Sequence, residues 1–257
     1  MSEPILEIKG LNKSFGPVHV LHDVDFDVRA GEVTALVGDN GAGKSTLVKC
    51  IAGIHPYDSG AVRFNGEDAH IRGPKDAAEL GIEVVYQDLA LADNLDIVQN
   101  MFLGRERGNS WKLDEASMEK AARETLASLS VRTVKSVRTP VSSLSGGQRQ
   151  TVAIAKSVLW NSKVVVLDEP TAALGVAQTR QVLDLVRRLA EQGLGVVLIS
   201  HNMADVFEVA DRIAVLYLGR LVAEVHTKDV SHGQVVELIT AGRSGDLGLA
   251  RPESVVL

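Results

Sequence analysis

A glycine-rich segment, GDNGAGKST at residues 38–46, directly follows the apolar run VTALV at 33–37. Glycine lacks a Cβ atom and tolerates positive φ, so the glycines at 38, 41 and 43 let backbone N–H groups converge on an anion. A helix that begins near Lys44 adds unpaired N–H donors and the positive end of its dipole. Lys44 supplies a charge, and Ser45 supplies a hydroxyl suited to Mg²⁺. The pattern predicts a loop that binds the phosphates of a nucleoside triphosphate. The binding residues predicted here are Gly38, Asn40, Gly41, Ala42, Gly43, Lys44, Ser45 and Thr46.

An acidic pair, Asp168 and Glu169, follows the apolar run 164–167, which is typical of a strand buried on both faces of a parallel sheet. Ligands in open α/β sheets bind beyond the carboxyl ends of the strands. We therefore expect Asp168 to hold Mg²⁺ through water and Glu169 to orient and polarise the attacking water. On its own, such a pair is more often a solvated strand end. The phosphate loop favours the catalytic interpretation.

A third segment, LSGGQ at residues 144–148, precedes an amphipathic run at 149–159. A serine and two glycines at a helix start make a second anion site, although a serine there is also an ordinary N-cap. Because it lies between the phosphate loop and the acidic pair, the segment resembles the signature motif of ABC-type ATPases. In that family, the signature segment of one subunit closes on the γ-phosphate that the other subunit holds. The resemblance therefore implies ATP as the nucleotide, a homodimer on ATP binding, and nucleotide contacts from Ser145, Gly146, Gly147 and Gln148.

Three further positions match the family one by one. Phe15 stands where the family has an aromatic ring that stacks on adenine; the alternative is a core residue. Gln87 follows another apolar run and resembles the glutamine that links the Mg²⁺ site to the membrane partner. His201 resembles the switch histidine that contacts the γ-phosphate from a strand end. The implied catalytic set is Lys44, Gln87, Glu169 and His201, and the implied metal ligands are Ser45, Gln87 and Asp168.

One segment departs from the family pattern. Residues 172–175 read AALG, where the family usually has Ser-Ala-Leu-Asp, so the aspartate that would reach across the dimer is missing. The catalytic set is intact, and we therefore expect active hydrolysis. The Asp39-Asn40 pair and the segments at 86–95 and 169–175 resemble the monosaccharide-importer branch of the family.

The elements that must position these residues can also be predicted. Alternation at 24–28 predicts an antiparallel strand, and the continuous apolar runs at 33–37, 83–86, 164–167 and 196–199 predict a parallel central sheet. The pattern between Asp88 and Leu159 is helical, with a helix over 114–129. The resemblance implies an α/β fold of the P-loop NTPase type: a RecA-like parallel sheet core, an N-terminal antiparallel β subdomain and an inserted helical subdomain. The expected ABC-type ATP-binding domain spans 1–240, with its core at 1–87 and 163–240, its helical subdomain at 88–162, and a loose tail at 241–257.

The composition limits the classes of protein and of partner to be considered. The 257 residues are 45% hydrophobic, with no run near the roughly 20 apolar residues that a membrane span needs. The first residues lack the pattern of a secretion signal. A net charge of −6 argues against nucleic acid as a partner, and the single Cys50 excludes an internal disulfide. We expect a peripheral protein at the cytoplasmic face of the cell membrane.

The function implied by the resemblance is that of an ATP-hydrolysing energy-coupling subunit of an ABC transporter, driving monosaccharide import. Its partners would be transmembrane permease subunits and an extracytoplasmic sugar-binding protein. Two alternatives stay open: an exporter subunit, or a soluble ABC ATPase that acts on ribosomes or DNA. The segment 89–103 is unusually apolar for a connecting loop, and we expect part of it, rimmed by Asp93, Asn94 and Asp96, to form an exposed surface for the permease; Met and Phe, which it contains, are enriched at such surfaces. The alternative is that these side chains only pack the helical subdomain.

Overall fold

A computed structural model describes residues 3–109, 111–131 and 133–248 of the protein. The strands are β1 (Pro4–Phe15), β2 (Val18–Arg29), β3 (Val33–Val37), β4 (Ser59–Phe64), β5 (Glu67–Ala69), β6 (Ile82–Val85), β7 (Gly108–Asn109), β8 (Lys112–Leu113), β9 (Val164–Asp168), β10 (Gly195–Ile199), β11 (Arg212–Tyr217) and β12 (Arg220–His226). The helices are α1 (Lys44–Ile51), α2 (Pro74–Leu80), α3 (Ile97–Phe102), α4 (Glu115–Ser128), α5 (Gly146–Val158), α6 (Val176–Glu191), α7 (Met203–Val209) and α8 (His232–Ala241).

A six-stranded sheet in the order β12-β11-β3-β10-β9-β6 forms the centre of the fold. All of its strands are parallel except β12, which pairs antiparallel at the edge. The four strands predicted from apolar runs are confirmed, with β6 and β10 each beginning one residue earlier than expected. β11 and β12 were not predicted, although residues 213–216 of β11 form a continuous apolar run like those of the predicted strands; β12 mixes polar and apolar residues along its length.

The central strands are apolar throughout because both of their faces are covered. Along β9, Val165 and Leu167 belong to a core shared with α3 to α8, whereas Val164 and Val166 belong to a second core shared with β1, β2 and α1. This second core lies under a four-stranded antiparallel sheet in the order β2-β1-β4-β5. The predicted alternation over 24–28 is confirmed, since Val24, Phe26 and Val28 are buried while Asp25 is exposed. The observed α/β architecture is that of a P-loop NTPase.

Among the described residues between 88 and 162 are three helices, α3 to α5, and the antiparallel pair of β7 and β8. The helix predicted over 114–129 is α4, and its N-cap is Asp114, whose side chain accepts a hydrogen bond from the Ser117 N–H at 3.1 Å. We interpret this segment as the inserted helical subdomain.

Within the apolar segment 89–103, Met101 and Phe102 pack inside the helical segment and do not contribute to an exposed surface. Both side chains are almost completely buried, together with Ile97 and Val98, because the short helix α3 packs against α4 and α5. Leu103, by contrast, is 47% exposed. Hydrophobic packing within the helical segment accounts for most of the apolar run.

The predicted tail at 241–257 is described only in part. Ala241 is the last residue of α8, a short 3-10 turn covers Gly245–Leu247, and Ser244 is buried. Residues 249–257 of the predicted tail lie outside the described residues. Among the helices of the described ranges, none has the length and apolarity that a membrane crossing needs.

Candidate active site

The glycine-rich loop joins the carboxyl end of β3 to the first turn of α1. Gly38, Gly41 and Gly43 have φ values of 156°, 81° and 106°, which side chains rarely tolerate. A Cβ at Gly38 would collide with the backbone oxygen of Leu216, and one at Gly43 would lie 2.8 Å from Cδ2 of Leu21. Glycine is therefore required at 38 and 43 for the loop to adopt this conformation against Leu216 and Leu21. This cradle fits phosphate groups, because its N–H donors surround the start of a helix.

Lys44 is the first residue of α1, and its ammonium folds back over the loop. Its Nζ atom donates hydrogen bonds to the carbonyl oxygens of Gly38 at 2.7 Å and Asp39 at 3.0 Å. Burial lowers the pKa of Lys44, while the nearby carboxylates of Glu169, Asp39 and Asp168 act in the opposite direction. The Lys44 ammonium has thus already lost part of its hydration, and it is held where a phosphate would bind.

The acidic pair and the histidine meet because β9 and β10 are neighbours in the sheet. Asp168 is opposite Ile199 in the parallel ladder, and the Glu169 N–H donates to the Ile199 carbonyl at 3.0 Å. The two strand ends bring Nδ1 of His201 within 2.8 Å of Oε2 of Glu169. The Glu169 side chain is only 16% exposed, whereas that of His201 is 78% exposed.

The electrostatics of this end of the sheet favour a cation. Burial, and after it the adjacent Glu169 carboxylate, raise the pKa of Asp168, while Lys44 and Lys49 act to lower it. The half-buried Asp168 carboxylate lies in the same cleft as the Ser45 hydroxyl and the Gln87 amide. Oxygen donors of these kinds suit Mg²⁺. The residues present therefore fit the predicted metal.

Two adjoining clefts contain most of the predicted residues. The first has a volume of about 390 Å³ and is lined by Val20, Asn40, Gly41, Gly43, Lys44, Ser45, Thr46, Gln87, Asp168, Glu169 and Ile199. The second has a volume of about 560 Å³ and is lined by Gly38, Asp39, Asn40, Gln87, Glu169, Ser200, His201, Met203, Val236 and Ile239. Sequence reasoning missed Val20, Ser200 and the contribution of α8, because these apolar and small residues carry no chemical signal. Larger grooves occur elsewhere, one of about 890 Å³ beside the exposed Trp111, but none of the predicted site residues lines it.

Phe15 lies outside both clefts, at the turn between β1 and β2. Its ring is 42% exposed, so it is not a core residue. The ring meets His55 edge-on at 5.1 Å between centroids, and Nζ of Lys13 lies 5.1 Å from the ring centroid. Ala42, although part of the phosphate loop, is buried and does not line the clefts.

The signature segment also lies outside both clefts. Ser145 is the N-cap of α5: its backbone N–H donates to Oε1 of Gln148 at 2.9 Å, and its Oγ accepts from the Gln148 N–H at 3.4 Å. A Cβ at Gly147 would contact Gln178 at 3.0 Å, and one at Gly146 would lie 3.3 Å from Leu174. Within one chain, these four residues form a capped helix start packed beside the start of α6.

The chain is similar in sequence to proteins of a known family. The sequence model of the family described as ABC transporter matches residues 21–172. The fructose import ATP-binding protein of Rhizobium meliloti is 47% identical over 94% of this chain and 95% of its own length. The xylose/arabinose import ATP-binding protein of Sulfolobus acidocaldarius is 44% identical over 95% of this chain and 97% of its own length. A ribose import ATP-binding protein of Escherichia coli O157:H7 is 37% identical, and the match spans 48% of its length.

A solved structure shares the whole architecture. The nucleotide-free ATP-binding cassette from an ABC transporter superposes with a TM-score of 0.81 at 27% identity, covering 92% of this chain and 98% of that structure. The phosphate loop, the acidic strand end and the histidine thus occur in a fold shared with such cassettes. Together with the matched residues 21–172 and the relatives above 40% identity, they lead to one conclusion: this chain belongs to the ABC transporter family, as an ATP-binding protein.

Proposed function

We propose that this protein is the ATP-hydrolysing, energy-coupling subunit of an ABC transporter that imports a monosaccharide. The observation that carries the hydrolysis is the convergence of Lys44, Asp168, Glu169 and His201 at one end of the sheet, with Glu169 and His201 2.8 Å apart. The names of the relatives, which concern fructose, xylose or arabinose, and ribose, support import of a monosaccharide.

The chemistry follows from the position of each group. Backbone N–H groups of the loop and the Lys44 ammonium bind the β- and γ-phosphates. Ser45, Gln87 and Asp168 would hold Mg²⁺, which neutralises charge on the phosphate oxygens when bound. Glu169 accepts a hydrogen bond from the attacking water and takes its proton as the new P–O bond forms and the bond to the ADP oxygen breaks. His201 orients Glu169 and faces the γ-phosphate from the adjoining cleft.

The signature segment supports a homodimer. Since Ser145 to Gln148 line neither cleft of their own chain, their contact with nucleotide requires a second copy. The exposed backbone at Ser145 and Gly146, at the start of α5, is suited to face the γ-phosphate of that copy.

Membrane partners follow from the relatives' names and from the segment after Gln87. Asp93 and Asn94 are exposed there, and Leu91 and Leu95 are half-buried. We place the contact with a permease on this segment, at the cytoplasmic face of the membrane, and infer an extracytoplasmic sugar-binding protein as the third component. The permease would sense nucleotide through Gln87, which lines both clefts.

Glu169→Gln tests the proposal. The change keeps the side chain's shape but removes the base, so turnover should fall by about 100-fold or more while ATP still binds. An ATP-dependent shift from monomer to dimer in size-exclusion chromatography should persist. Glu191→Gln, at the exposed end of α6, is the matched control and should hydrolyse ATP normally. Wild-type turnover in Glu169→Gln would refute the assignment of the base.

The cargo requires the assembled transporter. ATPase assays with the co-purified permease and sugar-binding protein, against fructose, xylose, arabinose and ribose, should show stimulation by a monosaccharide. Stimulation by none of a broad sugar panel, or substrate-stimulated transport in the outward direction, would contradict import of a monosaccharide.

A further inference from the structure

A buried carboxylate on α7 takes no part in the chemistry described above. Asp205 is only 5% exposed, and it lines neither cleft. A buried charge is costly unless hydrogen bonds compensate for its lost hydration. Both of its oxygens are used: Oδ2 accepts from the Thr171 hydroxyl at 2.6 Å, and Oδ1 accepts from the Asn202 side-chain amide at 2.9 Å.

The two donors belong to the two loops that carry the reacting groups. Thr171 is two residues after Glu169, and Asn202 immediately follows His201. Because Glu169 and His201 are themselves 2.8 Å apart, the path from Glu169 through Thr171, Asp205, Asn202 and His201 closes on itself. Asp205 is the member of this ring that joins the segment after β9 to the segment after β10.

Asn202 makes the connection between Asp205 and the His201 loop rigid. Its N–H donates to the Ser200 hydroxyl at 3.0 Å, and its Oδ1 atom accepts from the Ala204 N–H at 3.0 Å as the N-cap of α7. The side chain therefore caps α7 with its oxygen while its amide nitrogen binds Asp205. On the other loop, the Ala172 N–H donates to the Glu169 carbonyl at 3.1 Å, which closes the turn that leads to Thr171.

The catalytic pair needs such support. Glu169 has a φ of 50°, a left-handed conformation that is unfavourable for a non-glycine residue and persists only when neighbouring structure imposes it. His201 is 78% exposed, so packing alone does not hold its ring against Glu169. The buried Asp205 supplies a fixed point for both loops.

We propose that Asp205 is a positioning residue for ATP hydrolysis: its hydrogen bonds to Thr171 and Asn202 hold the Glu169 turn and the His201 loop in register. The inference rests on the proposed function, in which Glu169 and His201 act on the attacking water. It concerns the rate of the chemical step and leaves the phosphate-binding loop unaffected. Mutations in the ring should therefore change kcat far more than KM.

The test is a pair of variants that differ by one hydroxyl. Thr171→Val keeps the branched shape and removes the donor, whereas Thr171→Ser keeps the donor. Losing a hydrogen bond to a buried charged group, with the resulting misplacement of the base, should lower kcat about tenfold in Thr171→Val and leave KM for ATP within about twofold. Thr171→Ser should stay within about twofold of the wild type in both constants. The control is Thr125→Val on α4, which loses a comparable hydrogen bond to the Ala121 carbonyl, 2.9 Å long, outside the site.

A double-mutant cycle adds an independent readout. If Thr171 and Asp205 act through one shared bond, Thr171→Val combined with Asp205→Asn should lower kcat no further than the more severe single variant does. Multiplied effects would overturn the inference. If a thermal melt shows that Asp205→Asn does not fold, the comparison of Thr171→Val with Thr171→Ser still tests the positioning role.

Other outcomes separate the two proposals. Thr171→Val with kcat within twofold of the wild type, alongside an inactive Glu169→Gln, would overturn the positioning role and leave the proposed function standing. Equal losses in Thr171→Val and Thr171→Ser would also overturn it, because the hydroxyl would then be irrelevant. A fully active Glu169→Gln would instead refute the proposed function.

Discussion

Replacing Lys44 with methionine should weaken ATP binding by an amount that the structure allows us to work out. The Lys44 ammonium lies over the loop and donates hydrogen bonds to the carbonyl oxygens of Gly38 and Asp39 at 2.7 and 3.0 Å. Burial removes part of the hydration of this ammonium in the folded protein and lowers the pKa of Lys44. Binding a phosphate therefore requires little further desolvation of this group.

One hydrogen bond between charged partners contributes about 1.5–3 kcal/mol, and each 1.4 kcal/mol corresponds to about a factor of ten in affinity. Lys44→Met should accordingly raise the Kd for Mg-ATP by about 10- to 150-fold. Thermal stability should change little, by about 2 °C at most, because the two carbonyls that lose their donor are close enough to the open clefts to bind water.

The assay is a nucleotide titration of the purified chain by calorimetry, together with a thermal melt of each variant. Lys120→Met is the matched control, because its side chain is 77% exposed on α4, away from the clefts. Its Kd should equal that of the wild type. A Kd for Lys44→Met within about twofold of the wild type, in a variant with an unchanged melt, would refute the placement of the phosphates at this loop.

Three further outcomes are expected. Phe15→Ala should weaken ATP binding about tenfold with little change in thermal stability, because the exposed ring contributes base stacking and little packing. Phe15→Tyr should restore binding, and equal affinities in the three proteins would show that the ring is not part of the site. Asp168→Asn should melt at a higher temperature than the wild type near neutral pH in the absence of Mg²⁺ and nucleotide. The raised pKa of Asp168 means that ionisation disfavours the folded state, so this penalty appears as the pH rises above the ordinary pKa of an aspartate carboxyl, and the advantage of Asp168→Asn should vanish on acidification below it. A pH-independent difference would contradict that cause. Gly175→Asp should raise the melting temperature by about 2–4 °C. Gly175 is the N-cap of α6 in an extended conformation, with no side-chain cap and open space around a new Cβ, so an aspartate there can cap the helix. An unchanged melting temperature in differential scanning calorimetry would refute this prediction.

Local chemistry made the phosphate loop predictable. Glycines at 38 and 43 are required by positive φ and by close contacts with Leu216 and Leu21, and a strand-loop-helix unit can be recognised within about 20 residues of chain. The buried strands were predictable for a related reason: continuous apolar runs arise where both faces of a sheet are covered. The N-caps Asp114 and Ser145 were likewise visible, because a capping side chain bonds to N–H groups only a few residues away.

Exposure was harder to predict than element type. Met101 and Phe102 lie in an apolar run that resembled a docking surface, and both are buried by α4 and α5. Hydrophobicity gives a side chain's preference for burial, but whether another helix of the same chain covers it depends on packing between distant segments. β11 was not predicted although its residues 213–216 are continuously apolar, whereas the place of β12 at the edge of the sheet becomes apparent only when the strands are paired.

The sequence by itself determined the kinds of groups available for hydrolysis: a phosphate cradle, a lysine, two carboxylates at a strand end and a histidine at another. Their distances depended on strand order, which periodicity does not encode. Only the neighbouring positions of β9 and β10 bring His201 within 2.8 Å of Glu169, and only the packing of α7 brings Asp205 to Thr171, 34 residues away in the chain. The physical reason is that side-chain type and local conformation depend on nearby residues, whereas the geometry of the site results from the simultaneous burial of segments that the chain connectivity leaves far apart.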